Sequence, residues 1–117
     1  MISGHTRLAA VIGDPVEHSR SPAIHNAAFG ELGIDGVYVA MRVPSAELAT
    51  VVEALRAVKM IGASVTVPHK RAVMDLCDEL SPTAEAIGAV NTLQLTEDGR
   101  LIGHNTDAPG YVRALEA

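Results

Sequence analysis

The chain has 117 residues, room for one domain with a core of its own and too few for two. Its net charge of −5, with nine Lys and Arg scattered along the sequence, excludes the clustered basic surface that neutralising a nucleic-acid backbone requires. A lone cysteine, Cys77, excludes an internal disulfide and any multi-cysteine metal site; its spacing with Val73, Leu76 and Leu80 places it on the apolar face of a helix, packed and inert.

The first apolar run, Leu8 to Ile12, is far too short for a signal-peptide core or a membrane span, so a soluble cytoplasmic protein is expected. It reads instead as a short buried strand ended by Gly13-Asp14-Pro15. A helix is expected from Pro22, with Ser21 as its N-cap and Gly33 or Gly36 as its stop. Val37 to Val43 reads as a second strand. Ser45 then caps a helix whose apolar residues Leu48, Val51, Val52 and Leu55 share one face.

Ile61 to Val67 reads as a third strand, followed by a helix from about His69 to Leu80 and a short one restarted by Ser81-Pro82. Ala89 to Leu95 and Leu101 to His104 read as two strands joined through Asp98-Gly99, a strong hairpin signal. The stretch from Asp107 to Ala117 reads as the first turns of a last helix, whose Tyr111, Val112 and Leu115 could seek a partner by self-association. Apolar residues make up 48% of the chain and aromatic ones only 3%, which suits aliphatic layers between helices and a sheet. The expected architecture is α/β, a three-layer α/β/α arrangement on a mostly parallel sheet with a C-terminal hairpin-like strand pair.

In such sheets ligands bind beyond the carboxyl ends of the strands, and polar residues concentrate there. In His18-Ser19-Arg20-Ser21-Pro22, two hydroxyls flank a helix N-terminus, where unpaired N–H groups and the dipole favour an anion such as a carboxylate. The plainer alternative is that Ser21 only caps the helix and Ser19 is a loop residue. In Val65-Thr66-Val67-Pro68-His69-Lys70, a strand runs into a helix whose first turn would hold Lys70, a position that lowers a lysine pKa and suits proton transfer. The alternative there is a solvated surface lysine. Thr66 either points into the cleft or fills a strand position. Asn91-Thr92 and Asn105-Thr106-Asp107 either cap and turn or bind the hydroxyls of a polyol ring, with Asp107 supporting a Lys couple. The five histidines show no metal-ligand spacing, and no metal is expected. Gly30, Gly33 and Gly36 do not form the dinucleotide-binding G-x-G-x-x-G.

Taken in order, these motifs resemble the shikimate dehydrogenase family across nearly the whole chain. Val11 to Pro22 looks like its opening strand and S-x-S-P loop, and Gly62 to Lys70 like its G-x-N-V-T-x-P-x-K. Gly88-Ala-Val-Asn-Thr92 and Gly103-His-Asn-Thr-Asp107 match its G-A-V-N-T and G-x-N-T-D. The resemblance implies a substrate-binding domain over residues 1–117, with the NADP-binding domain absent. It implies that shikimate or 3-dehydroshikimate is held through its carboxylate at Ser19 and Ser21 and through its ring at Ser64, Thr66, Lys70, Asn91 and Asp107. Lys70, helped by Asp107, would exchange a proton with the ring oxygen while hydride passes to or from NADP. Alone, the chain is then expected to be inactive. Ser64 stands where the family usually has Asn, and Ala108-Pro109-Gly110 where G-x-G commonly follows, leaving quinate or another cyclic acid as alternatives. A rival from another class is a stand-alone module that binds a cyclic acid.

Overall fold

The computed structural model describes residues 1–106; the last expected helix and Asp107 lie outside them. Among the described residues six strands form one sheet: β1 (Arg7–Gly13), β2 (Gly36–Arg42), β3 (Gly62–Val65), β4 (Glu79–Leu80), β5 (Thr92–Leu95) and β6 (Leu101–His104), ordered β2-β1-β3-β5-β6-β4. β1 runs parallel to both β2 and β3, β5 is antiparallel to β3 and to β6, and β4 is parallel to β6. The hairpin between β5 and β6 turns at Gly99, whose φ of 86° lies in the left-handed region that glycine adopts without cost.

Side-chain alternation along β1 divides the core. Ala10 and Ile12 face one layer, built with Leu48, Val52 and Leu55 of α2 (Leu48–Ala57) and Ala84 of α3 (Pro82–Ile87). Ala9 and Val11 face the other, where Tyr38 and the half-buried Phe29 of α1 (Ser21–Leu32) cover them. The result is the expected three layers, with a deep core on one face and a thin one on the other. α1 buries none of its residues fully, and Ile24 stays 64% exposed. What pins α1 is Asn26, whose amide donates to Tyr38 O and accepts from Tyr38 N, both at 2.8 Å, so it occupies the open edge of β2.

Four local expectations are corrected. The helix of 69–80 is a single 3₁₀ turn over Ala72–Leu76, because Cys77 turns extended and Asp78 accepts the Leu101 N–H at 2.8 Å, diverting the chain into β4 beside β6. Cys77 therefore follows that turn rather than lying on a helix face, although it does pack against the main core. α1 begins at Ser21 itself with Arg20 at the cap, and Ser19 Oγ accepts the Ser21 N–H at 3.2 Å. Ser45 opens a 3₁₀ turn (Ser45–Glu47) and makes no side-chain cap to α2. By contrast, Ser81 Oγ accepts the Ala84 N–H at 3.1 Å, a working cap with Pro82 behind it.

Candidate active site

β1 and β3 are parallel, so their carboxyl ends lie at one edge of the sheet. The antiparallel β5 starts at that edge, and β6 returns to it. Four loops meet there around a cleft of about 430 Å³, lined by Ser19, Ser21, Ser64, Thr66, Lys70 and Asn91 together with His18, Thr92 and Thr106. Every expected site residue among the described ones faces this cleft; Asp107 lies beyond them.

Gly13 makes the meeting of loops possible. A Cβ there would sit on Thr66 Cγ2 and only 2.9 Å from Val67 O. Around it Thr66 N donates to Ile12 O at 3.0 Å, Asp14 N to Val67 O at 3.0 Å, and Val43 N to Gly13 O at 2.8 Å. These bonds stitch the ends of β1, β2 and β3 into one wall. Strand β3 stops at Val65, so Thr66 belongs to the turn, with its methyl against Gly13.

Lys70 occupies the turn that leads to the 3₁₀ segment, not the first turn of an α-helix. The helix-dipole argument for it therefore falls away, and what the structure gives is its position in the cleft. Two contacts fix that position, one backbone and one side-chain: Val90 N donates to Lys70 O at 2.7 Å, and the neighbouring His69 is 1% exposed with its Nε2 2.5 Å from Val43 O. His69 escaped the sequence reading because a histidine between Pro and Lys carries no metal or catalytic spacing. It works as a buried peg joining the Lys70 turn to the end of β2.

Asn91 is buried. Its Oδ1 accepts from Thr106 N at 3.1 Å and Thr92 Oγ1 at 3.0 Å, and its Nδ2 lies 3.1 Å from Thr106 Oγ1. Asn105 is also buried, with its amide donating to Ala89 O at 3.1 Å, so it anchors β6 to the preceding loop. Tyr38 was missed by the sequence reading as well: its phenol donates to Ser64 Oγ at 2.7 Å, behind the cleft wall. Burial pushes the phenol pKa up, while hydrogen bonding with Ser64 and, more weakly, Ser21 draws it down.

Chemically the cleft offers hydroxyls at an α-helix N-terminus, further amide and hydroxyl groups and one ammonium, together with the His18 imidazole and the Glu17 carboxylate. That set suits a small acid bearing oxygens on a ring. Among the described residues no three His, Cys, Asp or Glu come together to hold a metal, and no helix is long and apolar enough to cross a membrane. Gly33 caps α1 at its C-terminus with φ 67° and Gly36 opens β2, so neither belongs to a phosphate-cradling turn after a strand.

Residues 11–93 match the family model described as the shikimate dehydrogenase substrate binding domain. The shikimate dehydrogenase (NADP(+)) of Streptococcus thermophilus is 50% identical over 98% of this chain, and the chain spans about 40% of that relative's length. The crystal structure of shikimate 5-dehydrogenase from Listeria monocytogenes, in complex with shikimate and NAD, superposes with a TM-score of 0.93 at 48% identity; it covers 98% of this chain, which covers 39% of it. A ligand-free 5-ketofructose reductase from a Gluconobacter strain superposes at 0.90 with 32% identity, over 97% of this chain and 41% of that one.

Proposed function

We propose, from the premise that this chain belongs to the shikimate dehydrogenase substrate-binding domain family, that its cleft binds shikimate and 3-dehydroshikimate for their interconversion with NADP. The observation that carries this reading is the convergence of Ser19, Ser21, Ser64, Thr66, Lys70 and Asn91, from separate segments, on one cleft. Ser19 and Ser21 take the carboxylate, where the α1 dipole adds to their hydroxyls. Ser64, Thr66 and Asn91 meet the ring oxygens.

Lys70 handles the proton. As an ammonium it donates to the ring oxygen that becomes a hydroxyl; as an amine it removes that proton in the oxidative direction. Asp107 is its proposed helper, holding the ammonium near that oxygen. A bound nicotinamide cofactor would supply the hydride as NADPH in the reductive direction and take it up as NADP⁺ in the oxidative one, and the 117-residue chain alone is proposed to bind the acid without oxidising it.

The test is turnover of shikimate with NADP⁺ by the full-length protein, followed by NADPH absorbance. Lys70→Ala is expected to lower kcat by roughly 10²- to 10⁴-fold, with KM little changed. A raised KM at unchanged kcat would show that Lys70 binds without transferring a proton. A second reading, quinate as the preferred substrate, draws support from Ser64, a shorter group than the amide usual at that position. The ratio of kcat/KM for the two acids decides between them.

A further inference from the structure

The proposed reaction makes no use of Tyr38, although its hydroxyl touches a residue lining the cleft. Tyr38 lies on β2 opposite Ala9 of β1, and Ser64 lies on β3 opposite Val11, so one strand separates them. Two strand spacings are roughly 9–10 Å. The ring spans that gap because it lies over Ala9 and Val11, where the small Ala9 side chain leaves room.

Its placement is fixed from three directions. Asn26 clamps the Tyr38 backbone with two bonds, the His25 ring stacks on the phenol at 4.3 Å and 9°, and Ser64 Oγ receives the hydroxyl at 2.7 Å. A phenol is the stronger acid of the two, so it donates and the serine accepts. The Ser64 proton is then left to point elsewhere, and Ser64 lines the cleft.

We propose that Tyr38 is a positioning residue for the site: its phenol fixes the Ser64 hydroxyl as a donor into the cleft, creating a subsite for an oxygen on the ligand's ring. The inference rests on the substrate reading above. It explains how a short serine serves where a longer amide is usual, since the phenol behind it supplies the orientation that the missing amide would have carried. The subsite takes an oxygen with a free lone pair and gains nothing from a bare ring carbon.

Calorimetry on the full-length protein tests this with two acids, shikimate and 1-cyclohexene-1-carboxylate, which keeps the carboxylate and lacks the ring hydroxyls. Tyr38→Phe removes one oxygen and leaves the stack on His25 in place. Tyr38→Phe and Ser64→Ala are each expected to weaken shikimate by about fivefold, the scale of one hydrogen bond, and to leave the hydroxyl-free acid nearly unchanged. The double variant should bind shikimate no more weakly than Ser64→Ala alone, because the effect of Tyr38 on the ring oxygen runs through Ser64, while its weaker hydrogen bond with Ser21 bears on the carboxylate that both acids share. Equal weakening of both acids by Tyr38→Phe, or losses that multiply in the double variant, would reduce Tyr38 to a packing residue and overturn the proposal. Shikimate binding in the wild type with neither variant altered also overturns it, while leaving the substrate reading intact. A wild type that binds neither acid removes that reading and this inference together.

Discussion

A methyl group placed on Gly13 by Gly13→Ala has nowhere to go. The new carbon lands on Thr66 Cγ2, 2.9 Å from the carbonyl oxygen of Val67 and 3.2 Å from Val16 Cγ1. The Thr66 methyl could yield by rotation, but the carbonyl is backbone, and moving it strains the Asp14 N–H bond to Val67 O. Overpacking of this kind costs about 1–3 kcal/mol, and weakening one backbone hydrogen bond adds about 1 kcal/mol. A total of about 2–4 kcal/mol is expected in a urea titration followed by circular dichroism, with the slope unchanged. The φ of Gly13 is not in the left-handed region, so the cost is steric alone. Gly30→Ala is the matched control: it lies within α1 with open space around its Cβ, and alanine there should stabilise by about 0.5–1 kcal/mol. If Gly13→Ala unfolds at the wild-type midpoint, the close approach that builds the cleft wall is not under constraint and the reasoning fails.

Burial, with Asp78 beside it, pushes the Cys77 thiol up to about 11 against an opposing pull from Arg56. Its thiolate fraction near pH 8 is then roughly a hundredfold below that of a thiol of pKa 9, so alkylation by iodoacetamide should be slower by that order, and a rate equal to that of free cysteine counts against it. The Asp78 carboxyl is held below the usual carboxylate range, first by the Leu101 N–H and then by Arg56 at 2.9 Å. Because its folded pKa is depressed, its contribution is present above the unfolded value near pH ~4 and is lost as pH falls through the folded one. Acid titration should therefore show a shallower loss of stability in Asp78→Asn than in wild type, and parallel curves would contradict this. Asn26→Ala removes both clamps on the Tyr38 backbone and should cost about 1–3 kcal/mol in the same urea assay; no change would mean that the edge of β2 finds water as good a partner.

The strands other than β4 were legible in the sequence because β-branched and aliphatic runs bounded by glycine and proline admit few other readings. The hairpin at Gly99 and the cap at Ser81 were legible because each rests on a local device that needs no tertiary partner. The failures share a cause. Val73, Leu76 and Leu80 have helical spacing, yet the Asp78 bond to Leu101, 23 residues away, pulls that segment into β4. Long-range pairing defeats a local pattern, and with it went the dipole argument for Lys70. The site was readable as a set of strand-end polar groups, since a sheet's carboxyl edge gathers them whatever their order in the chain. His69 and Tyr38 were not readable, because what matters in each is a partner on another strand.

The thin layer over β1 and β2 has an energetic consequence. Helix α1 carries Ser21 at its first position while burying none of its residues fully, whereas the Lys70 turn is pegged to the main core through His69. The two ends of one ligand would thus be gripped by parts of the protein with unequal resistance to opening. Amide protons of α1 should exchange through local fraying well before those of β1 or β3. An acid bound at Ser19 and Ser21 would slow that exchange in proportion to its saturation, while the slow-exchanging core would register the same ligand only through global opening.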